Sequence, residues 1–254
     1  MITFKNVSKK YAGGRTALSN INLTIEQGQT VSVIGPSGAG KTTFIRCINR
    51  LIDCTVGTVE INGESVQEAR SVRLKQLRKK IGMIFQNYNL VERLTVLENT
   101  LHGCLGSMPF YRSLFGLYSK EEREHALELL ADLGLSAHVY QRCADLSGGQ
   151  KQRTGVARAL MQEPDILLCD EPVSSLDPQS AQDILNYIEK SVKKQGLTCI
   201  MNLHHVDYAK RYSDRILGLR DGRLVFDGTP KELSQAILSR IFSSHIHEKR
   251  EYSV

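Results

Sequence analysis

The part of the chain best suited to chemistry is a glycine-rich stretch that ends in a lysine and two hydroxyl side chains. It runs Gly35-Pro36-Ser37-Gly38-Ala39-Gly40-Lys41-Thr42-Thr43 and fits G-x-x-x-x-G-K-[S/T], the pattern of a phosphate-binding loop. Its glycines let the backbone approach a ligand closely, so that N–H groups at a helix start can face a polyphosphate. The pattern predicts that Lys41 reaches the β- and γ-phosphates of a nucleotide and that the Thr42 hydroxyl faces Mg²⁺.

The segments on either side of this loop have the character that the motif requires. Residues 30–34 are β-branched and apolar, as expected of a buried strand, and apolar residues recur at helical spacing from Phe44 to Ile52. The alternative is a glycine-rich turn with a surface lysine. A strand before the loop and a helix after it favour phosphate binding.

A pair of acidic residues ends another apolar segment. Asp170 and Glu171 follow the apolar residues 166–169, and a carboxylate at such a strand end can hold Mg²⁺ through water. The alternative for an Asp-Glu pair is an ordinary helix cap. Pro172 and the preceding strand argue against it, so the sequence predicts a magnesium ligand at Asp170.

A second motif, which contains a pair of adjacent glycines, lies between the phosphate loop and the acidic pair. Leu146-Ser147-Gly148-Gly149-Gln150 places a serine hydroxyl and two glycines at the start of a predicted helix, which makes another anion site. With this pentapeptide between the phosphate loop and the acidic strand end, the chain resembles the ATP-binding cassette (ABC) family over nearly its whole length. The resemblance implies that Ser147 to Gln150 complete the ATP site of a second copy, in a head-to-tail dimer.

The same resemblance assigns roles to residues near the predicted site. Glu171 is similar to the glutamate that polarises the attacking water. Gln86 ends a predicted strand and resembles the glutamine that touches the metal and the water. His204 resembles the switch histidine that contacts the γ-phosphate. The adjacent His205 is the alternative, and the position directly after the strand favours His204.

The resemblance also assigns roles to two more stretches of the chain. Tyr11 precedes Gly13-Gly14 and resembles the aromatic residue that stacks on adenine. An exposed tyrosine at a strand end is the alternative, because a single aromatic residue is a weak signal. Ser175-Leu176-Asp177 resembles the loop that links the two ATP sites of a dimer. The implied cofactors are therefore ATP and Mg²⁺.

Two segments resemble the ATPases of phosphonate importers in particular. They are residues 102–116 and residues 203–209, the latter followed by Arg211-Tyr212. The implied function is to power import of a phosphonate or a related phosphorus oxyanion, with two membrane permease subunits and a substrate-binding protein as partners. The alternatives are an ABC subunit docked on a soluble phosphonate-degrading enzyme complex and an importer ATPase for another small polar solute.

Strand and helix patterns predict an α/β fold that positions these motifs. Residues 2–11, 21–33 and 56–63 are rich in β-formers and suggest a small antiparallel sheet. Buried strands that alternate with helices elsewhere imply a mostly parallel sheet covered on both faces. The resemblance implies a P-loop NTPase (RecA-like) fold with an antiparallel β subdomain and an inserted helical subdomain. We expect one nucleotide-binding domain over residues 1–254, with the helical part at about 88–160.

Composition and charge limit the classes of binding partner that the protein can have. The 254 residues carry a net charge of +6, and the basic run at residues 70–80 is the strongest candidate for nucleic-acid binding. Leu74 and Leu77 keep helical spacing through that run, which favours a solvated amphipathic helix and no nucleic-acid partner. The six cysteines form no C-x-x-C pair, which predicts buried reduced thiols.

No signal-peptide pattern and no run of about 18 apolar residues is found. We therefore expect the chain to stay in the cytosol, and the resemblance to importer ATPases implies a peripheral protein on the cytoplasmic side of the inner membrane. Residues 104–118 are unusually rich in large apolar side chains. They predict either a small local core or, as the favoured alternative, a surface that receives a cytoplasmic helix of a membrane subunit.

The tail from Ser243 is polar, and we expect His245 and His247 to be solvated.

Overall fold

Two β-sheets and the helices around them organise the chain. The computed structural model describes residues 1–243, so His245 and His247 lie outside the described residues. The strands are β1 (Ile2–Lys10), β2 (Thr16–Ile25), β3 (Thr30–Ile34), β4 (Val56–Ile61), β5 (Glu64–Ser65), β6 (Ile81–Ile84), β7 (Ile166–Asp170), β8 (Thr198–Asn202), β9 (Arg215–Arg220) and β10 (Arg223–Gly228). The α-helices are α1 (Lys41–Ile48), α2 (Ser71–Lys79), α3 (Val96–Leu101), α4 (Phe110–Phe115), α5 (Lys120–Asp132), α6 (Gly148–Leu160), α7 (Pro178–Gln195), α8 (Val206–Tyr212) and α9 (Gln235–Phe242).

The larger sheet is mostly parallel, as predicted. Its strand order is β10-β9-β3-β8-β7-β6, and only the β9–β10 hairpin at one edge is antiparallel. The register sets Asp170 opposite Asn202 and Ile84 opposite Cys169. The carboxyl ends of β6, β7 and β8 therefore meet at one edge of the sheet, where ligands of parallel sheets bind.

The smaller sheet is antiparallel, in the order β2-β1-β4-β5, and this prediction is also confirmed. The expectation that residues 21–33 belong to this small sheet is wrong for residues 30–33, which lie in the large sheet. β2 ends at Ile25, and the chain turns at Gly28, whose φ is +75°. Because a glycine tolerates this left-handed conformation, the chain leaves the small sheet and starts β3 in the large one.

Apolar packing joins the two sheets through α1. The rings of Phe4 in β1 and Phe44 in α1 stack at 4.4 Å between centroids, and both side chains are buried. The opposite face of the large sheet packs against α3, α6 and α7 through a second apolar cluster. The helix that carries the phosphate loop is thus held between the sheets by its buried side.

Helix α1 is shorter than its apolar spacing predicts, because it ends at Ile48 and not near Ile52. The guanidinium of Arg78, in α2, donates hydrogen bonds to the backbone carbonyls of Asn49 at 2.9 Å and Arg50 at 2.7 Å. These contacts satisfy carbonyls that a longer helix would have bonded internally. Arg50 takes the left-handed conformation with φ of +53°, and the helix stops.

The helices α5, α6 and α7 begin at residues whose side chains cap them. Ser119 and Ser147 each form a capping box, and Asp177 caps α7 ahead of Pro178. The helical spacing of Ala126, Leu127, Leu130 and Leu133 in the sequence predicts an apolar face on α5. This prediction is wrong for Leu127, whose side chain is 37% exposed. The neighbouring Ala126 faces the core instead, and the other buried residues of α5 follow it at helical spacing.

Cysteines and surface helices also match their predictions. All six cysteines are free, and five of them are buried. Helix α2 buries Leu77 and exposes most of its basic side chains, as a solvated amphipathic helix does. Among residues 1–243, no helix combines the length and the apolar character needed to cross a membrane.

The segment at residues 104–118 places its apolar side chains in two different environments. Cys104 and Met108 are buried against the helical core. Five others, on α4 and just after it, are 52–82% exposed, and we call them the α4 patch: Phe110, Tyr111, Leu114, Phe115 and Leu117. The prediction of a small local core is therefore wrong for these five residues.

Candidate functional site

The glycine-rich loop folds tightly against neighbouring backbone at two of its glycines. A Cβ on Gly35 would lie 2.1 Å from the carbonyl oxygen of Leu219, and one on Gly40 would lie 2.2 Å from that of Ala17. Gly40 also has a φ of +105° and directly precedes α1. Only glycine fits these positions, so the loop can turn its N–H groups toward a ligand at the start of the helix.

Lys41 lies across this loop with its side chain buried. Its Nζ donates hydrogen bonds to the carbonyls of Gly35 at 2.8 Å and Pro36 at 3.1 Å. Burial lowers the pKa of Lys41, while the nearby carboxylates of Glu171 and Asp170 act in the opposite direction. An ammonium held by neutral carbonyls beside this loop can exchange them for the anionic oxygens of a phosphate.

A cavity of about 310 Å³ opens beside the loop. It brings together one predicted catalytic residue and much of the predicted nucleotide site. Its lining residues are Tyr11, Arg15, Ala17, Ser37, Gly38, Gly40, Lys41, Thr42, Thr43 and Glu171. Three predicted loop residues, Gly35, Pro36 and Ala39, shape the loop from behind and do not line the cavity.

Asp170 is fully buried at the end of β7, where three side chains hold its carboxylate. The Thr42 hydroxyl and the Asn202 amide donate to its Oδ1 at 3.0 Å and 3.1 Å, and Arg46 donates to its Oδ2 at 3.1 Å. The Thr42 and Asp170 oxygens are the hard ligands that Mg²⁺ prefers, so this donor set fits the metal.

Sequence reasoning missed Arg46 and Asn202. Arg46 lies four residues after Thr42, hence on the same face of α1, and that spacing was an available signal. Asn202 is a polar residue at the end of a buried strand, but only the register of β8 beside β7 sets it opposite Asp170.

Glu171 and His204 form a close pair at the carboxyl edge of the sheet. His204 Nε2 lies 2.6 Å from Glu171 Oε1, whereas the ring of His205 turns toward Tyr208 with 5.4 Å between centroids. Of the two histidines, the structure places His204 against the glutamate. Glu171 has a φ of +54°, a conformation that non-glycine residues rarely adopt and that is often found at functional turns.

Tyr11 and Gln86 differ in how closely they approach this site. The Tyr11 hydroxyl lies 3.1 Å from the hydroxyl of Thr43, and its ring lines the cavity. Gln86 is exposed two residues beyond β6. The β6–β7 register puts it at the same sheet edge as Glu171, but it does not line the cavity.

The residues of the second glycine pair lie at a separate helix start. Ser147 caps α6, and its backbone N–H donates to the Gln150 side chain at 2.8 Å. Ser147 and Gly148 are exposed, while Gly149 and Gln150 are half-buried. None of the four lines the cavity beside Lys41, so one chain alone does not bring the two predicted phosphate sites together.

Comparisons with known proteins agree with this arrangement. A family model described as ABC transporter matches residues 18–174. The phosphonates import ATP-binding protein PhnC of Treponema denticola is 52% identical over 240 residues, which cover 94% of each chain. Its counterpart in Staphylococcus aureus is 44% identical over 253 residues, covering all of this chain and 98% of the other.

Solved structures extend the agreement to the fold. A dimeric bacterial ABC transporter cassette is 35% identical, with a TM-score of 0.82, and the match covers 92% of this chain and 100% of the other. A second structure of the same cassette, a dimeric post-hydrolysis state bound to ADP and Pi, has a TM-score of 0.80 at 35% identity, with the same coverage of both chains.

Proposed function

The chain belongs to the ABC transporter family, and from that premise we propose that it is the ATP-hydrolysing subunit of a phosphonate importer. The observation that carries the proposal is the single cavity in which the phosphate loop faces Glu171. The relatives named as phosphonates import proteins support the substrate class, and they favour an importer over a soluble phosphonate-degrading complex.

We propose that ATP lies in this cavity, with its phosphates on the loop and Lys41 and its adenine on Tyr11. Thr42 and Asp170 would hold Mg²⁺, with Gln86 near it. The ion, when bound, neutralises charge on the phosphates. Glu171 would orient the attacking water, and His204 would contact the γ-phosphate. The Glu171–His204 distance of 2.6 Å supports a shared role.

The assembly we propose is a head-to-tail dimer with ATP at its interface. Two observations support it: Ser147 to Gln150 lie outside the cavity of their own chain, and one similar cassette is dimeric in two solved structures. Residues 1–254 would act as one nucleotide-binding domain, with the helices of residues 88–160 presenting this second phosphate site. Further partners would be two permease subunits and a substrate-binding protein.

We also propose that the α4 patch receives a cytoplasmic helix of the permease. Its five large side chains are exposed, and Arg112 beside them bonds Glu122 at 2.7 Å, which fixes the segment to α5. Apolar patches with polar rims are typical of partner surfaces. This contact would place the subunit at the cytoplasmic side of the inner membrane, as a peripheral protein.

Replacement of Glu171 by glutamine tests the proposed activity. Glu171→Gln keeps the phosphate loop and loses the carboxylate, so we expect ATP binding within about twofold of wild type and hydrolysis lowered about 100-fold or more. ATP affinity is measured by calorimetry and hydrolysis by phosphate release. Glu163→Gln, an exposed glutamate after α6, is the matched control. Near-normal turnover in Glu171→Gln would contradict the role of Glu171.

A further inference from the structure

A second, smaller cavity shares Glu171 with the nucleotide cavity. It has a volume of about 110 Å³, and Asn202 and His204 line it together with Glu171. One liquid water molecule takes about 30 Å³, so the space suffices for at least one water if polar partners are present. The chemistry of this cavity therefore depends on which polar atoms face it.

Asn202 connects this cavity to Asp170. The side chain is fully buried at the end of β8, and its Nδ2 donates to Asp170 Oδ1 at 3.1 Å. An ionised carboxylate only accepts hydrogen bonds, so the amide nitrogen must face Asp170 and the amide oxygen must face away. Asn202 Oδ1 has no hydrogen-bond partner among residues 1–243.

A buried acceptor without a partner is unfavourable, and such groups usually bond an ordered water. Asn202 and Arg46 together constrain the carboxylate of Asp170, since the amide donates to Oδ1 and the guanidinium donates to Oδ2. Outer partners of this kind fix the orientation of a carboxylate that binds metal. One amide therefore has its nitrogen bonded to Asp170 and its oxygen without a partner in the described part of the chain.

We infer that Asn202 is a positioning residue that orients Asp170 toward the metal and that its Oδ1 binds a water molecule in the smaller cavity. This inference rests on the proposed magnesium role of Asp170. The water would lie in a space that Glu171 also lines, beside the residue that we propose to orient the attacking water.

Two variants and one control test the positioning role. Asn202→Leu is close in shape and loses both polar ends, and Asn202→Ser is a smaller variant whose hydroxyl is too short to reach Asp170. The control, Thr198→Val, removes the buried hydroxyl that accepts a hydrogen bond from Gly28 N–H, at the other end of the same strand. Mn²⁺ binding in the presence of ATP is measured by electron paramagnetic resonance, and ATP binding in EDTA by calorimetry.

We expect both Asn202 variants to weaken Mn²⁺ binding about tenfold or more, with ATP binding in EDTA within about twofold of wild type. Thr198→Val should leave both affinities within about twofold. Unchanged Mn²⁺ affinity in a folded Asn202 variant overturns the positioning role. If wild type itself binds no Mn²⁺ with ATP, the proposed metal site fails, which is a separate result.

A crystal structure of the wild-type protein tests the water. We expect an ordered water about 3.0 Å from Asn202 Oδ1 in the smaller cavity. In crystals of Asn202→Leu, that water should be lost while other buried waters persist. A well-resolved wild-type structure with no water at this oxygen would overturn this half of the inference.

Discussion

At the scale of single residues, Lys41 is the side chain most directly committed to phosphate. Its ammonium is buried and, within residues 1–243, hydrogen-bonded only to neutral carbonyls, although the carboxylates of Glu171 and Asp170 lie close enough to affect its pKa. A phosphate would offer it charge-assisted hydrogen bonds, which contribute about 1.5–3 kcal/mol each. Nucleotide affinity should therefore depend on this one charge.

We expect Lys41→Ala to weaken ATP binding about 10- to 100-fold, the equivalent of losing one such hydrogen bond. Calorimetry with ATP measures the effect, and circular dichroism checks that the variant is folded. Lys75→Ala, which removes an exposed lysine on α2, should leave ATP affinity unchanged. Equal ATP affinity in wild type and Lys41→Ala would contradict the role of Lys41 in binding phosphate.

Tyr11 leads to a prediction about base selectivity. Its ring lines the cavity while its hydroxyl is engaged by Thr43 at 3.1 Å, so it offers a stacking face and not a hydrogen-bonding edge. Every base has a π-face, and stacking is therefore tolerant of base identity. We expect measurable GTP hydrolysis, with phosphate release as the assay. Tyr11→Ala should weaken the binding of ATP and of GTP alike.

Tyr140→Ala is the control, because Tyr140 is 78% exposed and does not line the nucleotide cavity. Its hydrolysis of both nucleotides should match that of wild type. A lack of GTP hydrolysis at a saturating GTP concentration would mean that the protein makes hydrogen bonds to the edge of the base.

At the scale of elements, the short helix α4 differs from the helices around it. Buried residues hold α5 and α6 to the core, whereas α4 has no buried residue of its own. It is fixed instead by Arg112, which donates to the carbonyl of Leu117 at 3.0 Å and to Glu122. Its apolar side chains therefore contribute little to folding and are free to contact a partner.

We expect the double variant Phe110→Ser, Phe115→Ser to keep wild-type stability and ATP binding, because these rings are 82% and 71% exposed. Stimulation of hydrolysis by the permease complex should be lost. The measurements are thermal unfolding, calorimetry and the ATPase rate of the reconstituted complex. Val72→Ser removes an equally exposed apolar side chain on α2 and should have no effect. Unfolding, or normal assembly and transport, would contradict docking at the α4 patch.

At the scale of the whole molecule, the two helix starts suited to phosphate do not share a cavity. The start of α1 meets Glu171, while Ser147 at the start of α6 lies outside that cavity. A second copy, placed head to tail, would bring each α6 to the other chain's loop. ATP would then join the two chains, and its hydrolysis would separate them.

We expect Glu171→Gln to form a stable dimer in ATP, and the added substitution Ser147→Glu to abolish it. A carboxylate at Ser147 would face the negative phosphates, and like charges repel. Light scattering with and without ATP measures the molecular mass of the protein and so distinguishes a monomer from a dimer. Ser71→Glu adds the same charge in the first turn of α2 and should leave the dimer intact. A dimer that persists in Ser147→Glu would contradict the head-to-tail arrangement.

Features that depend on neighbouring residues could be predicted from the sequence. The loop from Gly35 to Thr43, the helix start at Ser147 and the alternation of buried strands with helices each depend on residues that are close in sequence. Short-range geometry sets these features, so periodicity and motif spacing predict them. The family followed from the same motifs, and the comparisons confirm it.

Features that depend on distant segments could not be predicted and were found in the three-dimensional structure. Asn202 meets Asp170 because parallel strands pair in one register, and α1 ends early because Arg78 arrives from α2. The exposure of the α4 patch likewise depends on which surfaces α5 leaves uncovered. Contacts of this kind leave no local pattern, since their partners are brought together by sheet pairing and helix packing rather than by spacing along the chain.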